Sequence, residues 1–218
     1  MANSNTKGFG LIAAGTLGAT PATGGQNKYK IDAGYAHSIF QGNYVQIDSA
    51  GGANTNAGYI IRGQQAVTNP TIGVLNGVFY NAATTEKPTF QNYYSQVTPA
   101  NSEDITAFVI DNPFQQYLAS TSAQLGANNP AIEAQMGRTM GSAANAGSTI
   151  SGQSSNTLTV ASIHDINNTW RLLRIAEDPS NEDGVSAFCT VVVVANKSQW
   201  FGTAVSYTHL TLPTICSV

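Results

Sequence analysis

The residues best suited to acid–base or nucleophilic chemistry are the three histidines, His37, His164 and His209. A serine or cysteine nucleophile needs a nearby base that a third group holds in place. Asp165 follows His164 directly, but neighbouring residues on a strand point to opposite faces, so this pair does not make a relay by itself. No serine lies in a Gly-x-Ser-x-Gly elbow. We therefore predict that the chain has no catalytic residues and is not an enzyme.

Two further patterns could in principle bind a ligand. The acidic loop from Glu177 to Asp183 offers carboxylate oxygens, but it lacks the alternating spacing of a calcium-binding EF-hand loop. We interpret it as a solvated turn. The run Gly8-Phe9-Gly10-Leu11-Ile12-Ala13 matches a dinucleotide-binding fingerprint in form, yet no strand precedes it. The sequence therefore predicts neither a metal nor a cofactor.

Two aromatic pairs, Tyr93-Tyr94 and Trp200-Phe201, could stack on sugars or bases. A β-rich protein also places aromatic residues in its core and at its interfaces. We interpret both pairs as core or interface residues.

The composition argues against several classes of partner. Charged residues make up only 10% of the chain, against about 25% in an average protein. The net charge is −3, and the basic residues are scattered from Lys7 to Lys197, so nucleic-acid binding is not predicted. No apolar run reaches the roughly 18 residues of a membrane span. Of the cysteines, Cys189 lies in an apolar run and Cys216 near the end of the chain, and we expect no disulfide.

Short β-favouring runs separated by turn residues fill the chain from about Lys28 onward. Asn76-Gly77 interrupts one run and favours a tight hairpin turn or a β-bulge. The run that ends at Ala195 contains four consecutive valines, which predict a central, fully buried strand. We predict an all-β fold, a β-barrel or β-sandwich of short antiparallel strands. The predicted strands cover residues 29–31, 38–47 with the alternating segment 44–47, 59–61, 72–80, 105–110, 158–163, 170–176 and 188–195.

Other segments lack this strand pattern. Residues 1–27 are rich in Gly, Ala, Thr and Asn and contain little that could pack a core, so we expect a flexible, extended N-terminal arm. Four glycines break its apolar stretch, which argues against a signal peptide. Asn129 as a cap, Pro130 in the first helical position and Gly137 as a stop predict one helix of about two turns. The low-complexity stretch at about residues 141–156 predicts a mobile loop or surface excursion. A single β-rich domain, residues 28–204, remains.

A series of short motifs follows in a distinctive order between about Gly8 and Phe201. Together they resemble a family of virion structural proteins from marine and environmental tailed bacteriophages. The motifs that carry this resemblance are Gly8-Phe9-Gly10, Tyr29-Lys30-Ile31, Gly34-Tyr35-Ala36, Ile39-Phe40-Gln41-Gly42-Asn43-Tyr44-Val45, Gly58-Tyr59-Ile60, Ile72-Gly73-Val74, Pro88-Thr89-Phe90-Gln91-Asn92-Tyr93-Tyr94 and Ala107-Phe108-Val109-Ile110-Asp111-Asn112-Pro113.

The resemblance implies a particle component that acts through protein packing and not through catalysis. The segments around Phe40-Gln41-Gly42-Asn43 and Ile72-Gly73-Val74 are similar to small β-barrel head decoration proteins, which implies a capsid decoration or stabilising role. The implied partners are the phage major capsid protein or other virion proteins, with a homo-oligomer in the particle. The implied location is the virion, assembled in the cytoplasm of the bacterial host. Two alternatives are a tail or neck component, and a secreted carbohydrate-binding or adhesive β-sandwich that uses the two aromatic pairs as its platform.

The last segment, residues 205–218, differs from the rest of the chain. Val205 to Thr214 can be back-translated to GTC TCT TAT ACA CAT CTG ACG CTG CCG ACG, which resembles the transposon end plus adapter of common sequencing libraries. The segment carries no charged residue and contains Leu210 and Leu212 in place of the Gly/Asn/Ala-rich pattern before it. We predict that it is translated adapter and not native sequence. It should then make few long-range contacts and give no functional role to His209 or Cys216.

Overall fold

A computed structural model describes residues 6–18, 21, 24–48, 58–63, 70–126, 134–142, 147–160, 167–177 and 184–201. In these ranges regular structure consists of strands and one 3₁₀ turn at Ala100–Ser102, with no α-helix. The strands are β1 (Ile12–Thr16), β2 (Asn27–Ile31), β3 (Tyr44–Ile47), β4 (Ile60–Arg62), β5 (Gly73–Asn81), β6 (Pro88–Gln91), β7 (Ile105–Ile110), β8 (Gln115–Ser120), β9 (Thr139–Ser142), β10 (Leu158–Thr159), β11 (Trp170–Ile175) and β12 (Thr190–Ala195).

The strands form two antiparallel sheets. Sheet A has the order β1-β8-β12-β11-β9-β10, and sheet B has the order β2-β7-β5-β3-β4 with β6 paired to β5. Across the described ranges neither sheet closes into a barrel. Trp170 of sheet A and Tyr44 of sheet B meet edge to face, with ring centroids 6.1 Å apart, so the two sheets pack against each other. The all-β prediction is confirmed, and the arrangement is that of a β-sandwich.

The valine run forms the best-buried strand of sheet A. Val191, Val192, Val193 and Val194 are each at most 5% exposed. Their strand, β12, pairs with β8 on one edge and β11 on the other. A strand covered on both faces needs an apolar residue at every position, and β-branched side chains suit the pleated surface. The predicted central strand is confirmed.

Asn76-Gly77 lies inside a continuous strand, not in a hairpin turn. The pairing of β5 with β7 shifts register between Leu75 and Gly77. Of the two predicted alternatives, a hairpin turn and a β-bulge, the structure therefore shows the bulge. A bulge bends the strand and redirects its side chains without ending the pairing. The Asn76 side chain accepts a hydrogen bond from the Gln41 amide at 3.0 Å.

The N-terminal segment differs from the predicted flexible arm, since residues 12–16 form β1. This strand pairs with β8 at the edge of sheet A, and the Gln115 side chain donates a further hydrogen bond to the Gly15 carbonyl at 2.6 Å. Glycine and alanine favour strands only weakly. The strand therefore owes its formation to the unpaired backbone groups of β8, which no reading of residues 1–27 alone reveals.

The low-complexity stretch at residues 141–156 has both closely packed and exposed parts where the structure describes it, and its mobility stays a prediction. Residues 141–142 belong to β9, and Gly152 is buried. A Cβ on Gly152 would collide with the Asn92 amide, and one on Gly147 would collide with the ring of Phe40. The small residues thus allow close approach of the backbone to these side chains.

Some predictions fall mostly outside the described residues. Of the predicted helix, only residues 134–137 are described, and they form a turn. The translated-adapter prediction for residues 205–218 concerns residues that are not described, and it stays a prediction.

The apolar residues form two cores. The inter-sheet core lies between sheets A and B, and the second core lies on the opposite face of sheet B beneath the connecting segments. The inter-sheet core contains Leu11, Tyr44, Val74, Tyr117, Ala119, Leu125, Met140, Leu158, Trp170, Leu172, Cys189, Val191 and Val193. The second core contains Ile31, Tyr35, Ile39, Val45, Ile60, Ile61, Ile72, Leu75, Val78, Tyr80, Tyr94, Ile105, Ala107 and Val109.

Candidate interaction surface

One face of sheet B is covered by sheet A at only one end. Val74 of β5 and Ile110 of β7 are cross-strand partners at that end, and both pack in or against the inter-sheet core. Phe108 lies two residues before Ile110 on the same strand, so its side chain is on the same face. Phe108 is half-buried and, unlike Ile110, is not among the residues that pack against the inter-sheet core. Sheet B therefore continues past the edge of the sandwich.

Three phenylalanines occupy this uncovered end, and we name them the aromatic overhang: Phe79, Phe90 and Phe108. Phe79 and Phe90 are cross-strand partners with ring centroids 4.7 Å apart. Phe90 also stacks against Phe108 at 6.4 Å. Phe90 is nevertheless 73% exposed. Phe79 and Phe108 are half-buried. An exposed aromatic ring that rests on two half-buried rings can serve as an interaction site.

Charged side chains border the overhang on both sides. Lys28 of β2 is the cross-strand partner of Phe108, on the side nearer to sheet A. At the opposite end, the Lys30 ammonium lies 3.1 Å from the Asp104 carboxylate. The Asn81 amide donates to the Glu103 carboxylate there at 3.3 Å. The overhang thus has a lysine towards sheet A and carboxylates at its far end.

A cleft of about 350 Å³ opens between the covered half of this face and the N-terminal segment. Its polar lining consists of uncharged amides, and none of its lining residues is titratable. Gln41 bonds both Asn76, at 3.0 Å, and Asn92, at 3.4 Å, while Asn76 donates to Gln26 at 2.9 Å. These mutual hydrogen bonds hold the amides in place, and amide side chains do not act as acids or bases. The cleft therefore offers no acid, base or nucleophile for catalysis.

A second group of exposed apolar side chains lies where β1 ends and the described chain stops. We name it the terminal cluster: Leu17, Phe114, Trp200 and Phe201, each between 42% and 54% exposed. The Leu17 amide donates to the Phe114 carbonyl at 2.9 Å, and the Phe114 and Phe201 rings lie 5.5 Å apart. The overhang and the terminal cluster are thus built from different elements.

The structure brings no catalytic set together from the candidate residues it describes. His37 is exposed, with its ring edge-on to Tyr35 at 5.6 Å. The other two histidines, His164 and His209, and Asp165 lie outside the described residues. Within the described ranges, no group of three or more His, Cys, Asp or Glu side chains is placed to hold a metal ion.

The acidic loop is described only at its first residue, Glu177, which is exposed. The fingerprint-like run at Gly8 to Ala13 leads into a strand, and not into the helix that a dinucleotide site requires. A Cβ on Gly8 would collide with the carbonyl of Ser155, and one on Gly10 would meet Ser154 at 2.6 Å. These glycines therefore allow the N-terminal segment to pack closely on residues 154–156.

The two predicted aromatic pairs do not form one platform. Tyr94 is buried, its hydroxyl donates to the Tyr35 carbonyl at 2.7 Å, and burial raises its pKa to about 12. Tyr93 stacks flat on Phe40 at 5.4 Å, whereas Phe201 belongs to the terminal cluster. The interpretation of these residues as core or interface aromatics fits their positions.

Sequence reasoning did not single out the aromatic overhang. Phe79 and Phe108 alternate with core residues in predicted strands, which is the expected sign of an outward-facing residue. Phe90 lies in β6, a strand that was not predicted. The alternation of Phe79 and Phe108 with core residues indicated that both face away from the second core. It did not indicate that the two rings meet a third one.

No helix among the described residues has both the length and the apolar character needed to cross a membrane. No protein-family model, curated protein or solved structure matches the chain.

Proposed function

We propose that this protein is a structural component of a tailed-phage virion, which decorates or stabilises the capsid through protein packing and performs no catalysis. The observation that best supports the proposal is the pair of exposed apolar surfaces, the aromatic overhang and the terminal cluster, on a sandwich with few charged residues. A protein that must contact both a neighbour and a shell needs two such surfaces. The motif order described above supplies the link to phage particles.

The physical properties of these surfaces suit a component present in many copies. Aromatic side chains contribute much of the binding energy at protein interfaces and lose little conformational entropy when they are fixed. Modest contacts are sufficient on a symmetric shell, since attachment at several points multiplies the overall affinity. A polar, nearly uncharged surface around the aromatic clusters supports hydrogen-bonded, hydrated contacts.

The first experiment asks whether the protein is in the particle. Quantitative mass spectrometry of purified phage particles should find this chain in many copies relative to the portal protein. A place in the tail or neck would instead give a low copy number, which would reject the decoration role. Absence of the chain from the particle would reject the virion proposal altogether.

The second experiment tests the surface that makes the contact. Full-length protein is added to purified shells that lack it, and the bound fraction is measured by cosedimentation. We expect Phe114→Ser to weaken shell binding at least tenfold, as for an interface hot spot. Ile150→Ser is the matched control, because Ile150 is 98% exposed in a turn outside both clusters. Equal loss in both variants, or binding to polysaccharide in place of shells, would contradict the proposal.

A further inference from the structure

The aromatic overhang is one face of a sheet without the second layer that covers the rest of that face. Phe79 and Phe90 lie in a single cross-strand row that continues through Thr106 to Lys30. The next row towards sheet A contains Lys28 and Phe108. The row away from sheet A contains Asn81 and Pro88, with the carboxylates of residues 103 and 104 beside it. The exposed area is therefore about three rows deep, or roughly 14 Å along the strands.

We propose that a second copy of this chain covers the overhang, with a two-fold axis along the row from Lys30 to Phe90. With such an axis, Phe79 and Phe90 of one copy face Phe79 and Phe90 of the other across the interface. It also exchanges the two ends of the face, so that Lys28 of each copy lies opposite the carboxylate end of its partner.

At the carboxylate end, Asp104 is paired with Lys30, whereas Glu103 accepts a hydrogen bond from the neutral Asn81 amide. Lys30 lies on the axis and meets Lys30 of the partner, each with its charge balanced by Asp104 of its own chain. The complementary contact is therefore that between Lys28 and Glu103, which occurs twice by symmetry.

The shape of the sandwich permits this pairing. Sheet A stops short of Phe108, and the two-fold axis exchanges the two ends of the face. Sheet A of the second copy therefore lies beyond the carboxylate end of the first copy's sheet B and does not collide with it. Stacked sheets lie about 10 Å apart, a gap that exposed phenylalanine rings from both copies fill. Lys28 takes part in no ion pair among the described residues, so its charge is available to a partner.

The contact is small, and the dimer is therefore weak. Three rows across four strands make a patch well below the roughly 800 Å² that each partner contributes to a standard stable interface. We infer a dimer that forms at high concentration in solution and is reinforced where many copies are held on a particle. Only the reinforcement on a particle rests on the proposed function. Because the dimer is tested in solution without particles, the dimer proposal and the virion proposal can fail separately.

Sedimentation velocity of the full chain over a wide concentration range tests the pairing. We expect a monomer that converts to a dimer as concentration rises. Phe90→Ser should weaken the dimer at least tenfold, as for an interface hot spot. Phe114→Ser, which removes a phenylalanine of the terminal cluster that is 52% exposed, is the matched control and should leave the dimer unchanged.

The charge arrangement is tested in the same assay. Lys28→Glu places a carboxylate opposite the partner's carboxylates and should weaken the dimer by about threefold, in the range of exposed ion pairs. Added salt should weaken the wild-type dimer and strengthen the Lys28→Glu dimer. A protein that stays monomeric at the highest concentration, a dimer that Phe90→Ser does not affect, or one that Lys28→Glu strengthens at low salt would each overturn the proposal.

Discussion

The covered half and the exposed half of one face of sheet B are built from the same two strands. Val74 and Ile110 at one end and Phe79 and Phe108 at the other alternate with second-core residues in the same way. Val74 is buried and packs in the inter-sheet core with Ile110 against it, whereas Phe79 and Phe108 are half-buried and pack beneath Phe90 of the edge strand β6, which is 73% exposed. The halves therefore differ in whether residues of sheet A or only the ring of Phe90 lie against them.

This difference separates two uses of apolar side chains. In the inter-sheet core, Trp170 is surrounded edge to face by Tyr44 and Tyr117, at 6.1 and 5.6 Å. Burial of that kind stabilises the fold. In the overhang, the rings touch each other but face solvent on one side, so their apolar area remains available to a partner. Substitutions in the two halves should therefore affect different measurements.

The largest effect is expected from Trp170→Ala. The side chain is fully buried between the sheets, and its removal leaves a large cavity, so unfolding free energy should fall by about 3–5 kcal/mol. Trp170→Phe keeps part of the aromatic packing and should cost less. Chemical denaturation followed by circular dichroism measures both values, and a loss below about 1 kcal/mol for the alanine variant would contradict the assignment of Trp170 to the centre of the core.

A smaller loss is expected from overfilling the same core at Gly63. A Cβ at this position would collide with the ring of Tyr44, so Gly63→Ala should lower stability by about 1–3 kcal/mol. Combination with Tyr44→Leu, which removes the ring, should give less destabilisation than the sum of the two single changes. Strict additivity in the double variant would show that the ring and the added methyl do not compete for space.

A pH effect should distinguish the buried tyrosines of the cores from exposed ones. Burial raises the pKa of Tyr44 to about 12, above its value of about 10 in an unfolded chain. The folded state therefore holds this proton more tightly, and the resulting stability is present below about pH 10 and lost as pH rises towards 12. Tyr44→Phe should make the fall in melting temperature above pH 10 shallower. An unchanged pH dependence would contradict the burial of this hydroxyl.

The smallest stability effect is expected in the overhang. Phe90→Ser should change unfolding free energy by about 0.5 kcal/mol or less, because most of the side chain is already in water. The same variant should strongly weaken self-association. A stability loss comparable to that of Trp170→Ala would show that the overhang belongs to the folded core, and the contrast between the two halves would be wrong.

The strands that were predicted share a local sequence pattern that favours β-structure. The predicted runs 29–31, 38–47, 105–110 and 170–176 contain β-branched and aromatic side chains between turn residues, and they include β2, β3, β7 and β11, although β3 begins only at Tyr44. The strands that escaped prediction, β1, β6, β8 and β9, are rich in Gly, Ala, Gln, Ser or Pro. Their backbone conformation is imposed by pairing with a neighbouring edge, and local side chains carry little of that information.

The sequence by itself determined the all-β class, the buried valine strand and the interruption of β5, because alternation, β-branching and Asn-Gly are local properties of the chain. Tertiary structure alone decided that Asn76-Gly77 forms a bulge, that the glycines of residues 147–152 pack against Phe40 and Asn92, and that sheet A stops short of Phe108. Each of these depends on contacts between residues remote in the chain, so no local pattern encodes it.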